Sequence, residues 1–213
     1  VADDLEGIPP IKHWDGPPLD AWRAWRPEQA AELLAGLDIP WCVVGGWAID
    51  LWLGRETRAH DDLEIAILRK DLPAVRARLS GFVLHAVGDG EVRLLPDGAL
   101  TPADKHQNWV LDPAANAWRM DVMLEPGDSR TWVFRRDETI HRPRTQMIGT
   151  RNGVPFLNAE GALLYKAKAA RAKDEADFRA CLPSLDAAAR TWLSAALTVA
   201  HPNHPWLSLL DAR

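Results

Sequence analysis

Residues 41–67 read WCVVGGWAIDLWLGRETRAHDDLEIAI, and the fold class turns on how this stretch divides. An apolar run over 41–44 meets the pair Gly45 and Gly46, a short helix is expected over 47–53, and Gly54 supplies its stop signal. After a turn the chain enters a second apolar run that carries Asp62 and Glu64 among Leu63, Ile65 and Ile67. Alternate side chains of a strand share a face. Asp62 and Glu64 therefore point one way and the three aliphatic residues the other. If the extended backbone reaches back far enough, Arg58 and His60 join the acidic face. Carboxylates taken out of water must be paired, hydrogen-bonded or metal-bound, and two of them on one face repel each other without a cation between them.

Working outward, residues 118–125, WRMDVMLE, repeat the design: Arg119, Asp121 and Met123 alternate with Met120, Val122 and Leu124. Taken alone, Asp121 is more readily an edge or turn residue than a ligand. If this strand lies beside the first, three carboxylates converge, and a few hard oxygen donors with room for water and phosphate oxygens suit Mg²⁺. Gly45 and Gly46 open a helix, whose free N–H groups and partial positive charge suit a phosphate; a plain tight turn explains the pair equally well. Downstream, Lys166 and Lys173 are seven apart and are expected on one helical face within reach of a triphosphate. The alternative for Lys173 is an i,i+4 pair with Asp177 on a solvated face.

The 213 residues, 47% of them hydrophobic, suffice for one sizeable domain or two small ones. A net charge of −5 argues against a protein that wraps nucleic acid and favours a small or cationic partner. Cys42 and Cys181 have no ligand-spaced neighbours and read as reduced core thiols of a cytoplasmic protein. There is no apolar run of membrane-spanning length and no basic-then-apolar leader; a monomer or a homodimer is expected.

Along the chain, residues 1–26 carry two proline pairs and Trp14, Trp22 and Trp25, and read as an arm laid over the body by its tryptophans. Helices are expected over 27–37 and 70–79, and strands over 82–87, 91–95, 107–111 and 118–125, the later ones forming an antiparallel meander. Further strands are expected over 132–135, 146–150 and 154–157. Beyond residue 157 the text turns alanine- and leucine-rich with helical period. The expected organisation is an α+β catalytic domain over 1–157, a mixed β-sheet with helices packed on it, followed by a helical bundle over 158–213.

The stretch GGWAIDLWLGRETRAHDDLEIAI resembles the signature of the DNA polymerase β-type nucleotidyltransferase superfamily. With RMDV downstream and YKAKAARAKDEADF in the helical part, the chain is similar to the aminoglycoside and lincosamide nucleotidyltransferase group. The resemblance implies transfer of a nucleoside monophosphate, AMP from ATP, onto a hydroxyl of a small antibiotic-like molecule, with two Mg²⁺ ions as cofactors. It implies Asp62 and Glu64 as metal ligands, Asp121 as shared ligand and general base, and Gly45 and Gly46 against the phosphates. Arg58, His60 and Lys166 are assigned with them to the nucleotide. Many members have Asp where this chain has Glu64. A protein-modifying transferase of a toxin-antitoxin module and a non-catalytic ligand-binding member are the rival readings.

Overall fold

The computed structural model describes residues 16–211; Trp14 of the expected arm lies outside them. In chain order the elements are α1 (Pro27–Leu34), β1 (Trp41–Val43), α2 (Gly45–Leu53), β2 (Glu64–Leu68), α3 (Leu72–Arg78), β3 (Val83–Gly88), β4 (Glu91–Leu94), β5 (Gln107–Asp112) and β6 (Ala117–Glu125). There follow β7 (Thr131–Val133), β8 (His141–Pro143), α4 (Arg144–Met147), β9 (Ile148–Arg151) and β10 (Val154–Leu157). The chain ends in α5 (Ala159–Lys166), α6 (Ala172–Cys181), α7 (Ala187–Ala200) and α8 (Trp206–Asp211). Two compact units divide these elements, residues 16–41 with His60–Pro126, and Cys42–Ala59 with residues 127–211.

In the first unit the strands run in the order β4-β3-β5-β6-β2. β2 and β6 are parallel, with Ile65 opposite Val122 and Ile67 opposite Leu124, while the β6-β5, β5-β3 and β3-β4 pairs are antiparallel. The sheet is therefore mixed, as expected. It is not a simple meander: β4 folds back on the outer edge of β3, and β5 returns along the opposite edge. The hairpin between β3 and β4 is made by Asp89 and Gly90, both at positive φ (53° and 73°), the backbone a two-residue hairpin turn needs. Leu63, Ile65, Ile67, Val110, Met120 and Val122 are fully buried, so the predicted alternation along β2 and β6 turns its aliphatic side into the core.

The segment before α1 is part of this unit. Its backbone pairs with the first residues of β6, since Trp118 N–H donates to Ala21 O at 3.0 Å, Arg23 N–H to Trp118 O at 3.0 Å and Trp25 N–H to Arg119 O at 2.9 Å. Trp22 packs against Trp109 and Trp118, and Trp25 against Phe82. The described part of the expected arm, residues 16–26, is thus held by Trp22 and Trp25 and also by backbone hydrogen bonds.

In the second unit β1 and β10 are parallel and β10 and β9 antiparallel, and β7 and β8 form a separate hairpin pair. Residues 141–143 form a strand that periodicity did not reveal, and Gln146 and Met147, expected to begin a strand over 146–150, instead end α4 (Arg144–Met147). Arg144 is buried there, donating its Nε to Asp128 O at 2.7 Å, a tertiary bond that overrides local propensity. The single helix expected to carry both Lys166 and Lys173 is broken. α5 ends at Lys166 and α6 begins at Ala172, with Ala170 at φ 46° between them, so the two lysines do not share one helical face. Asp177, expected beside Lys173 on a solvated face, is buried. The C-terminal helices pack around Leu163, Leu164, Phe178, Leu193, Leu197 and Trp206, with Phe178 stacked on Trp206 at 4.2 Å between centroids.

Candidate active site

The parallel pairing of β2 with β6 sets Glu64 directly opposite Asp121. Facing residues of paired strands share a face of the sheet, so Glu64 and Asp121 are neighbours, and Asp62 precedes them by one strand repeat. The backbone ties the junction, with Asp121 N–H donating to Leu63 O at 2.8 Å. Asp62 and Glu64 are partly exposed, whereas Asp121 is only 4% exposed. The condition set by the sequence, that the two acidic strands lie side by side, is met.

Asp121 is the chemically distinctive member. Its Oδ2 accepts from Gln107 Nε2 at 2.9 Å and from Trp109 Nε1 at 3.2 Å, while its Oδ1 is buried with no hydrogen-bond partner. Burial, reinforced by the negative charge of Asp62, pushes its pKa up to about 7 against the opposing pull of the Trp109 and Gln107 side chains and the Asn108 backbone. A buried carboxylate oxygen without a donor is costly unless a proton or a cation reaches it. Among the described residues no three His, Cys, Asp or Glu groups already form a metal-holding cluster. Asp62, Glu64 and Asp121 therefore do not form a ready-made cage, and an ion here would draw further oxygen ligands from outside the protein. Asp121 Oδ1, buried and without a hydrogen-bond partner, is an oxygen that a proton or a hard cation would satisfy. Gln107 and Trp109 escaped the sequence reading. The available signal was their i,i+2 spacing on a strand adjoining the acidic one, which places both on one face.

The remaining predicted residues belong to the second unit, apart from His60, which is partly exposed in the turn before β2. Gly45 sits at φ 65°, a left-handed conformation that favours glycine, and with Gly46 it forms the first turn of α2. Val44 precedes this helix, and no side-chain hydrogen bond from it caps the first turn.

Arg58 reaches Asp177, Nε to Oδ1 at 3.4 Å. Lys166 is 9% exposed, with its Nζ 3.2 Å from Asp174 and 2.8 Å from Asp177. Arg171 closes the group on Asp174 at 2.9 Å. Three cations and two buried carboxylates thus form one network, whose mutual pairing offsets the cost of burying these charges. Cys42 and Cys181 are both buried and free, and burial pushes the Cys181 thiol up to about 12, which leaves it unreactive.

The sequence profile of the family described as Aminoglycoside-2''-adenylyltransferase matches residues 28–180. The chain belongs to that family. A 2''-aminoglycoside nucleotidyltransferase from Escherichia coli is 35% identical over 89 residues, 39% of this chain and 49% of the relative. One from Klebsiella pneumoniae matches with the same identity and coverage. The chain thus spans about half the length of the curated relatives it matches. Among solved structures, ANT(2'')-Ia in complex with adenylyl-2''-tobramycin is similar with a TM-score of 0.52 at 16% identity, covering 81% of this chain and 97% of that one. At that identity the likeness speaks for the nucleotidyltransferase fold, with its mixed sheet and C-terminal helices, and the family membership rests on the profile.

Proposed function

We propose that this chain is a Mg²⁺-dependent adenylyltransferase that moves AMP from ATP onto a hydroxyl of an aminoglycoside. The observation that carries the reading is the unpartnered, buried Oδ1 of Asp121, set opposite Glu64 in a member of the aminoglycoside-2''-adenylyltransferase family. A group with a pKa near 7 is suited to take a proton at neutral pH. In the proposed step Asp121 Oδ1 receives the proton of the acceptor hydroxyl as that oxygen attacks the α-phosphorus of ATP, and pyrophosphate leaves. Asp62 and Glu64, with Asp121, would hold the magnesium. What a bound ion supplies is neutralisation of the charge on the phosphate oxygens and the leaving pyrophosphate.

Gly45 and Gly46 are assigned to the phosphates on the strength of the uncapped helix start, and Arg58, His60 and Lys166 to the nucleotide on the family resemblance. Lys166 and Arg58 would act through the ion-pair network that already orders them, so a phosphate would share them with Asp174 and Asp177. Residues 158–213 are taken as the helical domain that completes the enzyme. The aminoglycoside is preferred over a lincosamide because the relatives named above are aminoglycoside enzymes and because a chain of net charge −5 attracts a polycation.

The test is pyrophosphate release on mixing the protein with ATP, Mg²⁺ and a panel of aminoglycosides and lincosamides. Turnover with an aminoglycoside is expected, and Asp121→Asn is expected to lower kcat by at least about 100-fold, the contribution of a general base. Nucleotide label appearing on protein rather than on the antibiotic would move the chain to the protein-modifying class. Binding of Mg-ATP without turnover on any acceptor would make it a ligand-binding member.

A further inference from the structure

The acidic strand β6 extends past its partner. From Asp121 onward its free edge is taken by β2, but one repeat earlier, at Trp118 and Arg119, the same edge is taken by residues 21–25. Trp22 stands opposite Trp118 in parallel register. Arg119 reinforces the contact, donating to Arg23 O at 2.8 Å while its guanidinium holds Asp112 at 2.9 and 3.1 Å. The segment before α1 therefore continues the sheet where β2 stops. It lies outside the residues matched by the family profile.

What this segment delivers is the indole of Trp22. Its Nε1 donates to Leu19 O at 3.0 Å, which fixes the ring. That ring meets Trp109 in a T-shaped contact, 5.2 Å between centroids at 75°. Trp118 meets Trp109 in a second T-shaped contact, 5.2 Å at 66°. Trp109 is 8% exposed and belongs to one small core with Val87, Val92 and Trp118, against which Leu19 and Trp22 pack. Its Nε1 is one of the two donors that hold Oδ2 of Asp121. An indole has one donor at a fixed point on a rigid ring, so the ring's pitch decides where that donor aims. The two aromatic neighbours set the pitch.

We infer that Trp22 is a positioning residue for Asp121, acting through Trp109: the N-terminal segment aims the carboxylate by clamping the indole that pins its Oδ2 and so leaves Oδ1 to the reaction. Gln107 supplies the second pin at 2.9 Å. With both donors in place the carboxylate cannot rotate without breaking two hydrogen bonds, and Oδ1 is the oxygen left without a partner. Without Trp22 one flank of Trp109 is open and the 3.2 Å bond is the first to lengthen. This role rests on the proposed function in its kinetic consequence, but the clamp itself is a property of the fold.

The test reads both. In ¹⁵N-labelled protein the indole N–H resonance of Trp109, identified by its loss in Trp109→Phe, is expected to move in Asp121→Ala, which removes the acceptor. Trp22→Ala should move it in the same direction and speed its exchange with water, and Trp22→Phe should restore most of the wild-type signal. Trp22→Leu, which keeps apolar bulk without the ring, is measured alongside and replaces Trp22→Ala if that variant does not fold. In steady-state assays Trp109→Phe and Trp22→Ala are each expected to lower kcat about tenfold, the weight of one hydrogen bond to a charged group. The KM for ATP should stay within about twofold, and the double variant should be no worse than either single one because both act through one bond. A Trp109 resonance unmoved by loss of the Trp22 ring, or additive kcat losses, would overturn the clamp. If the wild-type chain adenylylates nothing, the functional reading fails and the resonance alone decides the clamp.

Discussion

At the scale of single residues, the site rests on an imbalance inside one side chain. Asp121 has two donors on Oδ2 and none on Oδ1, in surroundings that make its negative charge expensive. Asp62 adds to that expense by like-charge repulsion. In the proposed reading a divalent cation would change the sign of the situation, turning the repulsion between Asp62 and Asp121 into shared coordination. Replacing Asp62 by Asn removes a charge that would hold the ion while keeping the shape of the side chain. Asp62→Asn is accordingly expected to weaken Mg-dependent ATP binding at least about tenfold, measured by calorimetric titration with and without Mg²⁺. Unchanged nucleotide affinity in that variant would remove Asp62 from the ligand set. Glu64 is longer than Asp by one methylene. Its register opposite Asp121 shows that the strand pairing, rather than the side-chain length, brings the acids together.

At the scale of elements, the break between α5 and α6 turns an expected cationic face into a buried network. Asp174 is fully buried and receives Lys166 and Arg171. Burial, the largest influence on it, opposes its ionisation. The hydrogen bond from Arg171 and the charges of Lys166 and Arg171 together outweigh burial and hold its pKa below the ordinary carboxylate value. Removing one partner of a buried pair leaves the other charge uncompensated. Asp174→Asn is expected to cost about 3 kcal/mol in urea denaturation at pH 7, the low end for such a loss because Asp177 still faces Lys166. A group whose folded pKa is depressed contributes fully above its unfolded pKa and loses that contribution as pH falls through the folded value. The gap between wild type and Asp174→Asn should therefore narrow below about pH 4. A gap independent of pH would show that Asp174 acts by packing alone.

At the scale of the whole molecule, no helix among the described residues is long and apolar enough to cross a membrane, and the net charge of −5 favours cationic acceptors. If the acceptor is an aminoglycoside, its KM should rise severalfold between about 50 and 300 mM salt while the thermal midpoint hardly moves, because salt screens long-range attraction more than buried pairs. A KM indifferent to salt would point to an uncharged acceptor. Much of this was legible without coordinates. Alternation identifies the strands around Glu64 and Asp121, because a period of two is a local property of the chain, although β2 begins only at Glu64, leaving Asp62 before it, and Ala66 and Leu68 bury the rest of the face expected to be acidic. The Gly45-Gly46 turn was equally legible. The pairing of β2 with β6, which makes neighbours of Glu64 and Asp121, was a condition the sequence posed and tertiary structure met. The two donors on Asp121, the arm completing the edge of β6 and the partners of Lys166 were decided by tertiary structure alone. Each joins residues distant in sequence or separated by the end of a helix, and neither periodicity nor composition carries information about which remote side chain will fill a given space.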